Sequence, residues 1–430
     1  MEMSHLIDIA DPHVPLVDSM GKELQSLKLS PFSAECIIYK VPERLHHVKE
    51  RAYTPKVVSI GPLHHGIDES LIAMQEHKMR YLGDFIERTG KTLEFFLDFV
   101  RKNEAKLRGC YAETIHLCSD QFVKMILVDA AFIVEVLLKS SNPKMQLKND
   151  RIFKKPWLIQ DVWTDMLLLE NQLPFFILKD LFEAYSREVP SENLTLVRLT
   201  ENFFKSRMES PGIEDRWEEF SCGDFEIKHF VDLLRHVRLK PSKRDEMKLW
   251  KLTMPTMTEL HQAGVTFQVS RSRNLFDIKF DKKKGILEIP SFIFSTETEL
   301  TIRNSLAFEQ CHYNDENYIN DYVIIMNRLV ETRMDIELLV KERIVENRFS
   351  NTREGSNFLN KLADGATLDQ NNFYFASLSE ELNAYYKTPW HKWKANLRQK
   401  YFKTPWTVIS LVAAIFLFIL TFIQTVYSVK

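Results

Sequence analysis

Glycine is scarce in this chain, 12 of 430 residues. Sheet-rich folds lean on glycine for tight turns and bulges, so this scarcity argues against a sheet-dominated fold. Cysteine is scarcer still. Cys36, Cys110, Cys118, Cys222 and Cys311 are scattered, odd in number and form no CxxC pair. That excludes a zinc ribbon and a disulfide framework and leaves reduced, mostly buried thiols as the expectation. G-x-S-x-G, the P-loop, G-x-G-x-x-G and H-E-x-x-H are all missing, so no stretch identifies a reaction and no cofactor or metal is expected. A formal net charge of −2 gives no global pull towards nucleic acid. Met1–Met20 mixes acidic residues and prolines and lacks an apolar run resembling a signal peptide.

Charge is also absent from one long run. From Thr404 to Val429 the chain reads TPWTVISLVAAIFLFILTFIQTVYSV. A helix rises about 1.5 Å per residue, so roughly 20 apolar residues cross a ~30 Å hydrocarbon core. Residues 404–429 are therefore expected to form one transmembrane helix. Trp406 and Tyr427 lie near its ends, where amphipathic rings prefer the headgroup layer. Before it come Lys392, Lys394, Arg398, Lys400 and Lys403 with no acidic residue among them, and after it only Lys430. The positive-inside rule then puts the N-terminal side in the cytosol. The expectation is a tail-anchored, single-pass protein inserted after synthesis, its bulk cytosolic, with the plasma membrane preferred to the endoplasmic reticulum. Trp390 and Trp393 interleave with the basic residues of 389–403, so this segment suits contact with anionic lipid. The sequon at Asn193 would matter only with inverted topology.

A hydrophobic fraction of 45% with 27% charged residues matches globular protein and excludes a disordered chain. Residues 1–30 are polar and read as a flexible segment, followed by a mostly helical domain over 31–388. PKVVSIGPLHHG at Pro55–Gly66 reads as a loop or short extended piece. Helical spacing marks Ile72–Glu87, Leu93–Leu107 and Asp120–Lys139. Val162–Tyr185 is apolar all round and should be buried, with Pro174 kinking or breaking it. Residues 205–250 are charged and hold Pro211, Gly212, Cys222, Gly223 and Pro241, which predicts an exposed, loop-rich insertion. Val265–Val269, Leu275–Phe280 and Gly285–Phe294 alternate with strand period, and Asp281–Gly285 reads as a hairpin loop, so a small antiparallel β element is expected over 265–294. Helical patterns return at Glu299–Glu309, Tyr318–Val345 and Ser377–Tyr401.

Candidate chemistry is thin. His64 and His65 lie in a glycine-bounded loop with His77 beyond, but no carboxylate spacing makes them a metal set. His229, Asp232 and His236 fall on one face of a possible helix and read as a solvated face. The carboxylates are more informative. Asp129 sits within an apolar stripe, about 20° from Phe122 at 100° per residue. Asp161, Asp165 and Glu170 precede or interrupt the most hydrophobic run. A buried carboxylate must be paired or hydrogen-bonded, and desolvation raises its pKa. Such groups can act as general acids, or hold a helix N-terminus, an arginine or the Ser59–Gly66 loop. Glu170-Asn171-Gln172 beside Pro174 reads as a polar network specifying the core.

These blocks make the chain recognisable. Pro55–Gly66, Met74-Gln-Glu-His-Lys78 with Tyr81-Leu82, Asp165–Phe175, Thr258–Gly264 with Phe267, Phe276–Phe280, Leu287–Pro290 and Arg303-Asn304 with Phe308-Glu309 resemble, in order, those of a large plant family, domain of unknown function 247. The resemblance covers roughly residues 30–425. It implies a C-terminal membrane anchor, no established activity, and for some members links to self-incompatibility, growth or defence. The resulting expectation is a mainly α protein of the membrane. It acts as a non-enzymatic recognition or signalling component with the lipid bilayer and an unidentified protein as partners. The polar core is Asp129, Asp165, Glu170 and Asn171, and the membrane-interface residues are Trp390, Trp393, Lys400, Lys403, Trp406 and Tyr427. The alternatives are a membrane-associated enzyme using the buried carboxylates and a lipid-contacting trafficking adaptor.

Overall fold

The computed structural model describes residues 16–21, 24, 36–188, 194–205, 226–238, 248–249, 253–272, 274–313, 316–349, 352–389 and 405–428. Helices dominate. The first half is built on α1 (Ala73–Thr89), α2 (Leu93–Lys102), α3 (Ser119–Ser141), α4 (Pro156–Asp165), α5 (Phe175–Glu188) and α6 (Leu196–Lys205). The segment Phe122–Lys139 of α3 is buried almost without interruption, because its apolar residues cover every face and α1, α2, α5 and α6 pack around it. Thr92 starts α2 by accepting the Phe95 N–H at 3.2 Å, and Gly90 ends α1 in the left-handed conformation.

Leu93–Leu107 divides at Asn103 into α2 and a short helix Glu104–Gly109. The apolar run 162–185 also divides. The chain leaves helix at Asp165 and resumes at Phe175, just after Pro174. Gln172 Nε2 donates to the Met166 and Leu168 carbonyls, both at 2.8 Å. The carbonyls orphaned by the helix end therefore have a side-chain partner.

The second half comprises α7 (Phe230–Arg238), α8 (Met257–Gln262), β1 (Thr266–Val269), β2 (Lys279–Asp281), β3 (Ile286–Ile289), β4 (Phe292–Phe294), α9 (Thr296–His312), α10 (Tyr318–Leu329), α11 (Arg333–Lys341), β5 (Val345–Asn347), α12 (Thr352–Ala363) and α13 (Ala376–Lys387). α9 is buried from Thr298 to Glu309 and carries α7, α10 and α12. Asp335 ties two helix starts. Its Oδ1 accepts the Thr258 N–H at 2.7 Å and its Oδ2 the Thr332 N–H at 2.8 Å.

The antiparallel β element is a correction. β2 and β3 do form an antiparallel hairpin around Asp281–Gly285, but β1 pairs with β3 in parallel, giving a mixed sheet of order β1-β3-β2. Gly285–Phe294 is two strands of two sheets. β4 leaves the first sheet and pairs in parallel with β5, Phe292 opposite Val345. Pro290 lies at the switch, where a residue without an N–H cannot continue a ladder.

The insertion over 205–250 is corrected in part. Its described residues 226–238 belong to the core. Phe230, Val231, Leu233, Leu234 and Val237 are buried, and so are His229, Asp232 and Arg235. Pro211, Gly212, Cys222, Gly223 and Pro241 lie outside the described residues, as do Asn193 and most of 1–30.

A last helix, α14, runs from Pro405 to Ser428. Its described side chains are exposed, Tyr427 at 77% among them. The longest unbroken stretch with described side chains is 412–428, and among the described residues no helix is long and apolar enough to cross a membrane. The transmembrane helix is thus not established by the structure. Trp390, Trp393, Lys400, Lys403 and the Trp406 side chain lie outside the described residues.

Candidate functional site

The polar groups expected in the core converge on one strip of backbone. Lys56–Gly61 lies between α1, α3 and the turn Met166–Pro174, and among the described residues it pairs with no strand. Its N–H groups are met by side chains instead. Asp165 Oδ1 accepts the Lys56 N–H at 2.9 Å, and Oδ2 accepts those of Val57 at 2.8 Å and Val58 at 2.9 Å. Asn171 Oδ1 accepts the Ile60 N–H at 2.6 Å, while its Nδ2 donates to the Val58 and Asp165 carbonyls. Asp129 Oδ2 takes the Gly61 N–H at 2.8 Å. Lys78 donates to the Ser59 carbonyl at 2.7 Å and to Asp129 Oδ1 at 2.5 Å, with both of these ionic side chains buried.

Gly61 explains why the strip can come so close. Its φ is +73°, and a Cβ there would lie 2.7 Å from the Gln172 carbonyl oxygen and 3.0 Å from Tyr111 Oη. Both conformation and space require glycine.

Neighbouring side chains extend the mesh to more distant segments. Glu170 Oε1 accepts the Val41 N–H at 2.7 Å, and its Oε2 is 2.9 Å from His64 Nε2. Gln172 Oε1 accepts the Phe230 N–H at 3.0 Å. Asn304 accepts the Leu169 N–H at 2.8 Å and donates to the Ala52 carbonyl at 2.9 Å. Residues 165–172 are thus the hub that joins 41–61, α7 and α9. Asp161 lies apart, 3.7 Å from Lys56 Nζ at the margin.

Electrostatics follow burial. Desolvation pushes the Asp165 carboxyl up to about 6, although three backbone N–H groups and Lys56 pull the other way. Burial also lowers His65 and His77. His64 Nε2 and His65 Nδ1 are buried without an aligned hydrogen bond. Among the described residues no three His, Cys, Asp or Glu side chains are grouped to hold a metal ion.

A second buried cluster was not anticipated. His229 is fully buried with a fixed neutral ring. Nε2 lies 2.9 Å from the Ile37 carbonyl, to which it donates, and Nδ1 accepts the Asp232 N–H at 3.2 Å. Burial lowers this ring to about 4. Burial pushes Asp232 up, but His236, His229 and the Lys228 N–H outweigh it and hold the carboxyl well below its usual range. Arg235 Nε pairs with Glu309 Oε1 at 3.0 Å, and its guanidinium covers the Tyr313 ring at 3.9 Å. Glu309 Oε2 accepts the N–H groups of Ile319 at 2.9 Å and Asn320 at 3.1 Å, capping α10. Burial nevertheless pushes Glu309 up to about 7.

Both clusters spend their oxygens on backbone N–H groups and on cations of distant segments. Carboxylates so occupied order a chain well, and they have few lone pairs left for a substrate.

Comparison with known proteins agrees on one family. A profile described as plant protein of unknown function, DUF247, matches residues 38–420. The UPF0481 protein At3g47200 of Arabidopsis thaliana is 29% identical, over 97% of this chain and 88% of that protein. A putative UPF0481 protein of the same plant, At3g02645, is 21% identical over 94% of this chain and 92% of its own length. No solved structure matches significantly.

Proposed function

This chain belongs to the plant family of domain of unknown function 247, and from that premise we propose a membrane-held recognition component. It binds a protein partner and carries out no chemistry of its own. The observation that carries this reading is the way Asp129, Asp165, Glu170 and Asn171 are used. Each spends a side-chain oxygen on a backbone N–H of the segment 41–61. A general acid needs its carboxyl free to face a substrate. A carboxyl with three N–H donors instead holds a rigid scaffold on which surface loops can recognise a partner.

The membrane part rests on the sequence of α14. No charged residue occurs from Thr404 to Val429, and Lys392 to Lys403 precede it. A helix of 24 residues at about 1.5 Å per residue reaches ~36 Å, enough for a hydrocarbon core. On this reading the domain is cytosolic, Trp406 and Tyr427 sit at the two interfaces, and Trp390, Trp393, Lys400 and Lys403 rest on the headgroups. The plasma membrane remains our preferred location.

The test is proximity labelling from the intact, membrane-inserted chain, followed by co-purification of what it marks. One reproducible protein partner that stays bound to the purified chain supports the reading. A chain that turns over a metabolite, and loses that turnover in a fully stable Asp165→Asn variant, would establish the enzyme instead.

A further inference from the structure

The β2–β3 hairpin presents Lys282, Lys283 and Lys284 at its tip, all three exposed. The tip is ordered by its own turn. Asp281 Oδ1 accepts the N–H groups of Lys283 and Lys284, both at 3.0 Å, and the Asp281 carbonyl accepts the Gly285 N–H at 2.8 Å. Gly285 takes φ +67°. Among the described residues the ion pair at the tip, Lys284 with Asp281 at 3.3 Å, is exposed, so solvent screens it and three positive charges still face outwards. Lys279 stands opposite Glu288 in the ladder, which leaves the tip as the net positive part of the hairpin.

The hairpin is fixed against α13. The Phe280 ring meets the Tyr385 ring edge-on at 5.2 Å, and a Cβ on Gly285 would lie 2.5 Å from Tyr385 Oη. Tyr385 belongs to the last turn of α13, which ends at Lys387. The chain then passes through 388–404 into α14. Glu380 and Glu381 lie earlier in α13, and no acidic residue follows Glu381, while Lys387, Lys392, Lys394, Arg398, Lys400 and Lys403 do. The end of α13 is thus the point from which the body hangs on α14. The trilysine tip occupies that same pole.

We propose that Lys282–Lys283–Lys284, packed against the last turn of α13, is a docking surface for the anionic headgroups of the bilayer. The inference rests on the reading of α14 as the membrane helix. Three lysines alone bind an anionic surface weakly. A tether running from the adjoining helix end makes the contact intramolecular and raises its effective concentration. The consequence is orientational: in an anionic membrane the body is held with the hairpin tip towards the bilayer.

The test uses the full chain reconstituted in two vesicle preparations, phosphatidylcholine alone and phosphatidylcholine with about a third phosphatidylserine, with lysine reactivity mapped by reductive methylation. Lys282, Lys283 and Lys284 are expected to react several-fold more slowly in the anionic vesicles, with the difference abolished by high salt. Lys144 and Lys148, exposed in the turn after α3, should react alike in both. The triple variant K282Q/K283Q/K284Q should remove the lipid dependence of labelling at Lys279 and Lys387 without changing the melting temperature. Equal reactivity of the tip in both bilayers, in a chain that stays with the vesicles after alkaline carbonate, overturns the docking surface and leaves the anchor standing. A chain that washes out of both bilayers overturns the anchor, and this proposal with it.

Discussion

Replacing Asp165 is the sharpest probe of the polar hub. Asp165→Asn keeps shape and one oxygen. Turned to keep the Val57 and Val58 N–H groups, its amide nitrogen faces the Lys56 N–H, which sits 2.9 Å from Oδ1 in the native chain. Two buried donors then lack an acceptor, at about 1–3 kcal/mol each. One term works in the opposite direction. Asp165 rises from 3.8 to about 6 on folding, so at pH 7.5 the native chain carries an ionised carboxylate at a handicap of about 3 kcal/mol. Asparagine escapes that handicap. Two stranded donors cost about 2–6 kcal/mol together, so with the handicap of about 3 kcal/mol relieved the balance at pH 7.5 runs from near zero to a loss of about 3 kcal/mol. Asp165→Ala escapes the same handicap but strands three N–H groups and opens a cavity, so it should be less stable than Asp165→Asn. Urea unfolding of the detergent-solubilised full chain, with melting as a second probe, gives both values. Equal stability of all three proteins would refute the claim that this carboxylate holds the strip.

Gly61→Ala should destabilise by at least as much as Asp165→Asn, because positive φ and the approach to the Gln172 carbonyl both oppose a Cβ; thermal melting reads it, and a neutral result would contradict the geometry of the strip. His229 is held neutral, its pKa lowered to about 4, so its contribution is complete above 6.5 and disappears as pH falls from 6.5 towards 4. His229→Gln should therefore melt lower than the native chain at pH 8 and close that gap at pH 5; parallel melting curves across this range would rule the assignment out. Arg235→Ala leaves Glu309 buried without its cation and should cost roughly 3–5 kcal/mol, with Glu309→Gln milder because the amide oxygen can still cap α10. Equilibrium unfolding that ranks them the other way would show that stranding the Arg235 guanidinium costs more than stranding the Glu309 carboxylate.

The sequence revealed most where helical spacing was long. α1 and α3 stand close to the expected bounds because a dozen or more residues carry that spacing. Asp129 could be placed in the core from its angle alone, and its partner, the loop after Ser59, was among the options. The sheet was less legible. Strand pairing is a relation between distant segments, and nothing local in Phe292–Phe294 announces Val345–Asn347 as its neighbour. The α7 cluster was misread for a similar reason. His229, Asp232 and His236 read as a solvated face, yet Ile37 and Tyr313 arrive from elsewhere in the chain to partner His229 and Asp232. The clue available was the second, apolar stripe of Phe230, Val231, Leu233, Leu234 and Val237. A helix bearing it needs cover on more than one side.

The central claim is that α14 holds a scaffold at a membrane, and alkaline carbonate extraction addresses it most directly. The intact chain and one lacking residues 405–428 are expressed in plant cells, and their microsomes are washed at high pH. The account predicts that the intact chain stays in the pellet and the shortened one moves wholly to the supernatant with an unchanged melting temperature. An intact chain released by carbonate, or a shortened chain that still pellets, would contradict it.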